Sequence, residues 1–122
     1  MEREKSAQEL AILDRLRKLC CVLPGVQESV DGHGHTSFRV AGKPFVMMGS
    51  MRLWLGIKSD PVTQDVLVRT GRWARGQNGW TSVLDFSALD WDEIEELVQD
   101  GWRLAAPKRL LKAVPNEVER SG

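Results

Sequence analysis

The residues of this 122-residue sequence best suited to chemistry are its arginines, lysines and tryptophans, which recur together along the middle of the chain. Across residues 51–58, Met51, Leu53, Leu55 and Ile57 alternate with Arg52, Trp54, Gly56 and Lys58. In an extended chain that alternation puts the apolar set on one face and Arg52, Trp54 and Lys58 on the other. Cations flanking an indole suit nucleic acid, the charges meeting phosphates and the ring meeting a base or sugar. Arg69, Arg72, Trp73 and Arg75 repeat the theme across residues 69–76, and Arg39 and Lys43 precede it. The expected contact set is Arg39, Lys43, Arg52, Trp54, Lys58, Arg72, Trp73 and Arg75, with Trp54 or Trp73 stacking. The competing expectation is structural: Trp54 packs under the last helix, and the arginines pair with acids there.

Charge distribution sharpens both readings. The formal net charge is zero, with 17 basic and 17 acidic residues. Residues 39–75 carry seven cations against Asp60 and Asp65, whereas residues 85–100 carry seven carboxylates and no cation. A segregated field steers an anionic partner to one face even when the sum vanishes. That partner is DNA on the leading reading and an acidic protein or small ligand on the alternative. A pI near 6.7 falls short of the basic footprint of a dedicated DNA-binding domain.

Other chemistries find less support. His33 and His35 fall on one face of an extended segment, but a metal needs three or four ligands, and only Glu28 and Asp31 are near. A turn-stabilising role for His35 fits better. The acids from Asp90 to Asp100 could hold a hard cation through oxygen alone, yet carboxylates at a helix start are the usual cap and dipole pattern. Cys20 and Cys21 are adjacent, which suits neither a long-loop disulfide nor a Cys-x-x-Cys motif, so two buried reduced thiols are expected. No nucleophile elbow, phosphate loop, dinucleotide fingerprint or zinc-helix motif occurs, and tyrosine is absent. No catalytic residue, metal or cofactor is expected, and enzyme activity ranks third.

The elements that must position these residues are legible in outline. Leu10, Ile12, Leu13, Leu16, Leu19, Cys20 and Leu23 recur at helical steps, predicting a helix over residues 6–22 that Pro24-Gly25 stops. Thr36, Phe38 and Val40 predict a half-buried strand, Ala41-Gly42 a tight reversal, and residues 45–48 an apolar strand. Residues 51–58 predict the clearest strand of all. Asp60-Pro61 starts a helix with Val62, Val66 and Leu67 on its apolar side and Gly71 at its end. Residues 72–79 read as a loop or irregular edge strand and residues 80–84 as a strand. Asp90 caps the last main helix, with Glu93 completing a capping box and Leu89 and Ile94 forming a staple. Trp91, Ile94, Leu97, Val98, Trp102 and Ala105 line its apolar face, and residues 108–112 add a final turn. The expected core is Leu13, Leu16, Phe38, Leu53, Leu55, Val83, Ile94, Leu97 and Val98.

The order Leu23-Pro24-Gly25-Val26, Gly34 to Lys43, Trp54-Leu55-Gly56-Ile57-Lys58-Ser59-Asp60-Pro61 and Gly79-Trp80-Thr81-Ser82-Val83 resembles the MmcQ/YjbR family of small bacterial proteins. The resemblance covers roughly residues 10–110. It implies an α+β domain, an antiparallel sheet with an N-terminal helix and a helix-rich C-terminal half on one face, in the double-wing arrangement similar to frataxin-like folds. Members are described as DNA-binding, largely from their shape, and no reaction is established for them, so the resemblance implies DNA binding without catalysis. Many members have Trp-Gly-His-Pro where this chain has His33-Gly34-His35-Thr36, and Ser-Tyr where it has Gly101-Trp102-Arg103-Leu104. No role of that proline or tyrosine carries over. Length sets one domain over residues 1–122, with a tail fraying from about Pro115. The start lacks a signal-peptide core and no apolar run reaches membrane-spanning length, so a cytoplasmic protein free of membranes is expected.

Overall fold

Ser6-Ala7-Gln8-Glu9 is a capping box, and it starts the first helix. The Ser6 hydroxyl accepts the Glu9 amide at 3.1 Å, and the Glu9 carboxylate accepts the Ser6 amide at 3.0 Å. The computed structural model describes residues 5–112, so the expected fraying from about Pro115 lies outside the described residues. Helix α1 (Ala7–Cys20) buries Ile12, Leu13, Leu16 and Cys20. Its last turn is closed by the Cys21 amide on the Arg17 carbonyl at 3.0 Å, which leaves the Cys21 thiol exposed. Only one of the two expected buried thiols is therefore buried, because adjacent positions on a helix end cannot both face the core.

Four strands follow as an antiparallel meander: β1 (Val26–Val30), β2 (Thr36–Val40), β3 (Lys43–Met48) and β4 (Leu55–Lys58). The β2–β3 reversal is made by Ala41 and Gly42, both at positive φ (50° and 81°), the conformation that a two-residue hairpin with the right twist demands. Helix α2 (Pro61–Arg69) leads to a second hairpin, β5 (Trp73–Arg75) and β6 (Trp80–Val83). Strand β6 docks antiparallel on β4, giving the order β1-β2-β3-β4-β6-β5. Helices α3 (Trp91–Ala105) and α4 (Lys108–Leu111) complete the chain.

Leu16 of α1, Leu67 of α2, Val98 of α3 and Leu110 of α4 all join one core with Phe38, Val46, Leu55 and Ile57 of the sheet. All four helices thus lie on the same sheet face, an α+β architecture of two layers. Gly101 lets α3 sit close on β4, since a Cβ there would stand 3.0 Å from the Lys58 carbonyl oxygen. Trp102, 1% exposed, ties α3 to the connection between α1 and β1 by donating its indole N–H to the Pro24 carbonyl at 3.0 Å. Eight of the nine expected core residues are buried, and Leu53 is half-buried.

Three expectations need correction. The strand over residues 51–58 is strand only from Leu55. The Gly49 amide donates to the Trp54 carbonyl at 2.9 Å, folding the intervening residues into a loop, and Met51 is 78% exposed. Period-two alternation had no partner there, because β3 ends at Met48 opposite Leu55. Helix α2 turns Val62 and Val66 to solvent, 74% and 56% exposed, while Gln64 and Leu67 face inward. Gln64 takes an inward slot because its Nε2 donates to the Gly76 and Trp80 carbonyls at 3.3 and 3.1 Å and its Oε1 accepts from Arg75 at 2.9 Å. Glu93 does not close a capping box. Asp90 caps α3 by accepting the Asp92 and Glu93 amides, but the Glu93 carboxylate turns to Arg72 and Trp73.

Candidate functional site

Side chains alternate across a sheet, so the registers decide which residues share a face. The helix-covered face runs from Phe38 through Val46 and Ile57 to Thr81. The opposite face carries the row Ser29, Ser37, Met47, Gly56, Ser82 and Ala74 across all six strands. Beside this row stand Gln27 opposite Arg39, and Lys58 opposite Trp80. No outward strand position carries a carboxylate. Among the described residues every helix packs on the other side, leaving this face without a second layer.

Trp54 belongs to the open face, not beneath the last helix. A Cβ on Gly56 would stand 2.4 Å from Trp54 Cη2, so the indole occupies the space a side chain at position 56 would fill. Lys58 holds its ammonium 5.2 Å from the centroid of the Trp80 ring, a cation–π contact. Arg39 is fixed along the same face by donating Nε to the Ser37 hydroxyl at 3.0 Å and Nη1 to the Gly42 carbonyl at 3.1 Å. Arg52 projects from the loop after β3 and is exposed. Lys43 opens β3 at the hairpin, exposed, and pairs in register with Val40 of the helix-covered face.

The remaining three residues of the expected set lie elsewhere. Trp73 is 3% exposed, a core residue whose indole N–H points to Glu93 at 3.4 Å, so it offers no ring for stacking. Arg72 is held by both Glu93 oxygens at 3.3 and 3.1 Å. Arg75 is paired with Asp65 and with Gln64 of α2. Register puts Arg75 opposite Thr81 and Lys58 opposite Trp80, and consecutive residues of β6 face opposite ways. Arg75 of β5 and Lys58 of β4 therefore do not share a surface. Trp80 takes the place of Trp73, since β6 buries Thr81 and Val83 and turns Trp80 and Ser82 outward, an alternation that the residue types themselves do not show.

At one end of the open face, His35, Met47, Ser50, Met51, Arg52 and Trp54 line a cleft of about 300 Å³ over Gly49. Its floor is closely packed: a Cβ on Gly49 would meet the Arg52 carbonyl oxygen at 2.8 Å. His35 is set by Asp31, whose Oδ1 accepts the His35 and His33 amides at 3.0 and 2.8 Å and whose Oδ2 lies 3.2 Å from the ring Nδ1. The His35 amide, with the His33 amide and the His35 ring adding to it, holds the Asp31 carboxyl below its usual range. This is the turn-stabilising arrangement expected of His35. Among the described residues no group of three or more His, Cys, Asp or Glu side chains is placed to hold a metal ion. No helix there is long and apolar enough to cross a membrane.

The sequence profile of the YjbR family matches residues 22–104, about two thirds of the chain. The chain belongs to the YjbR family. A comparison with curated proteins returned no match. The YjbR segment contains the whole sheet, α2 and nearly all of α3, and with them Arg39, Arg52, Trp54, Lys58, Trp80 and the cleft. Helix α1 and helix α4 lie outside it, yet both pack against the same core.

Proposed function

We propose that this YjbR protein is a non-catalytic DNA-binding module that lays the nucleic acid on its open sheet face. The observation that carries the reading is the composition of that face: Arg39, Arg52 and Lys58 with Trp54 and Trp80, and no carboxylate at any outward strand position. Among the described residues, the cations there have none of the acid pairs that engage Arg72 and Arg75, so they can exchange counterions for phosphates. Indoles on a sheet face present flat apolar area to unstacked bases, which favours single strands over duplex. A non-catalytic role is supported by sequence, which has none of the familiar nucleophile or phosphate-loop motifs.

The test is fluorescence anisotropy with a labelled single-stranded oligonucleotide and its duplex at two salt concentrations. Neutralising about three phosphates on a single strand gives a slope of log K against log salt near −2. A fourfold rise in salt then weakens binding about 20-fold. Reversing Arg39, Arg52 and Lys58 to Glu should abolish binding, whereas reversing Lys108 and Lys112, exposed on the helix side, should leave it unchanged. Absence of binding at low salt, or equal loss from both sets of reversals, rejects the reading. An acidic protein partner would also respond to the first set of reversals, but on that reading neither oligonucleotide binds at low salt.

A further inference from the structure

From the cleft at the end of the open face we infer a subsite for a single nucleotide unit, with the base against Trp54 and the phosphate on Arg52. The inference rests on the proposed function and names what one position of the surface holds. Four observations converge on it. The cleft is about 300 Å³, at the small end of ligand pockets and suited to one nucleotide rather than two. Its apolar wall is Met47, Met51 and Trp54, a polarizable surface that suits a planar ring. Arg52 on its rim is exposed and has a guanidinium fork matched to phosphate oxygens. The walls are also preformed: the Gly49–Trp54 hydrogen bond of 2.9 Å closes the loop, and Asp31 fixes His35 from behind. A preformed wall lowers the entropy cost of binding a small ligand.

The cleft opens onto the row of small residues where Met47 and Gly56 are register partners. A strand lying along the open face therefore reaches the cleft without leaving the sheet, and the unit held there is one nucleotide of that strand or a free mononucleotide. Both sources share the same base-and-phosphate chemistry.

The experiment is calorimetric titration of the whole chain with adenosine 5′-monophosphate, adenosine and inorganic phosphate, followed by a short oligonucleotide. The monophosphate should bind at least about tenfold more tightly than adenosine, as a charge-assisted contact to Arg52 provides. Arg52→Gln should erase that difference and leave adenosine binding intact. Trp54→Leu should weaken both, and Lys108→Gln, on the helix side, should alter neither. Circular dichroism shows whether each variant is folded. The subsite is rejected if no mononucleotide binds at low salt, or if Arg52→Gln and Trp54→Leu leave the monophosphate unaffected. Oligonucleotide binding that depends on Arg39 and Lys58 but not on Arg52 or Trp54 rejects the subsite and keeps the DNA reading. Mononucleotide binding at the cleft with no gain in affinity for oligonucleotides keeps the subsite and rejects the DNA reading.

Discussion

Gly56 and Trp54 are two residues apart and act as a pair on the open face. The ring sits where a β-carbon at position 56 would be, 2.4 Å from Cη2, so even alanine must displace it. Gly56→Ala is therefore expected to shift indole emission and to weaken single-strand binding by about 1–3 kcal/mol, the worth of one stacked base. Duplex binding, which relies on phosphates, should change far less. If emission and single-strand affinity both stay put, the ring does not rest on Gly56. The cysteines give a second residue-scale expectation. Burial pushes the Cys20 thiol well above its ordinary value near 9, whereas Cys21 is exposed. A thiol reagent should label one cysteine in the native protein and two after unfolding. Because the folded Cys20 holds its proton while the unfolded one releases it, its contribution to stability is full below about pH 9 and declines above it. Urea midpoints that stay flat from pH 8 to 11 in the wild type, and match those of Cys20→Ala in their pH dependence, would contradict this. Neither the pairing of Trp54 with Gly56 nor the exposure of Cys21 is visible in residue types alone, since both depend on where a loop or helix ends.

At the scale of elements, several local sequence signals were read correctly, although the capping box expected at Glu93 was not. The caps Asp60 and Asp90, the Ala41-Gly42 reversal and the apolar stripe of α3 all fall where propensity and periodicity put them. Two elements failed for a common reason: their pattern was satisfied only if the neighbouring element supplied partners. Residues 51–54 alternate like a strand but have no ladder beyond Met48, and α2 buries Gln64 because β5 and β6 present carbonyls to it. Gln64→Ala should strand those carbonyls and the Arg75 guanidinium, at a cost of about 1–3 kcal/mol. A urea titration showing under about 0.5 kcal/mol would mean that water replaces the amide without penalty. Leu97→Ala, on the buried stripe of α3, should cost about 2–5 kcal/mol, and a loss under about 1 kcal/mol would deny that α3 packs as described.

For the whole molecule, the charge segregation along the chain becomes a division between layers. The exposed acids Asp92, Glu95 and Glu96 lie on α3, while Arg39, Arg52 and Lys58 serve the opposite sheet face. That much of the surface was foreshadowed by sequence: five of the eight expected contact residues are exposed or half-exposed, and among the described residues no carboxylate pairs with the four cations of that set. Of the other three, Trp73 and Arg75 face the helices by strand parity, and Arg72, just before β5, is turned to α3 by Glu93. Arg72 and Arg75 belong to the side where α2 and α3 supply carboxylates. Between layers, Arg17 of α1 holds Glu28 of β1 through two hydrogen bonds of 2.6 and 2.8 Å. The Arg17 guanidinium keeps the Glu28 carboxyl below its ordinary value of 4.5. Its contribution to stability is full above that value and is lost as pH falls through the lower folded one, with Asp31 and Asp85 displaced in the same direction. Arg17→Gln should flatten the decline in stability below pH 4.5, read from thermal midpoints between pH 2.5 and 6. An unchanged acid limb would show that the pair does not bridge helix and sheet in solution.

The strand order also has a kinetic consequence. Every ladder but one joins strands that follow each other in the chain, and the exception is β4 with β6. Closing that seam brings together Lys58 and Trp80 across a loop of about twenty residues, an entropic step that the short hairpins avoid. The buried Ile57–Thr81 pair sits at its middle. Ile57→Val should therefore slow refolding by most of its effect on stability and leave the unfolding limb of the chevron nearly still. If the unfolding limb moves instead, the seam zips only after the barrier, and the two hairpins meet as finished pieces.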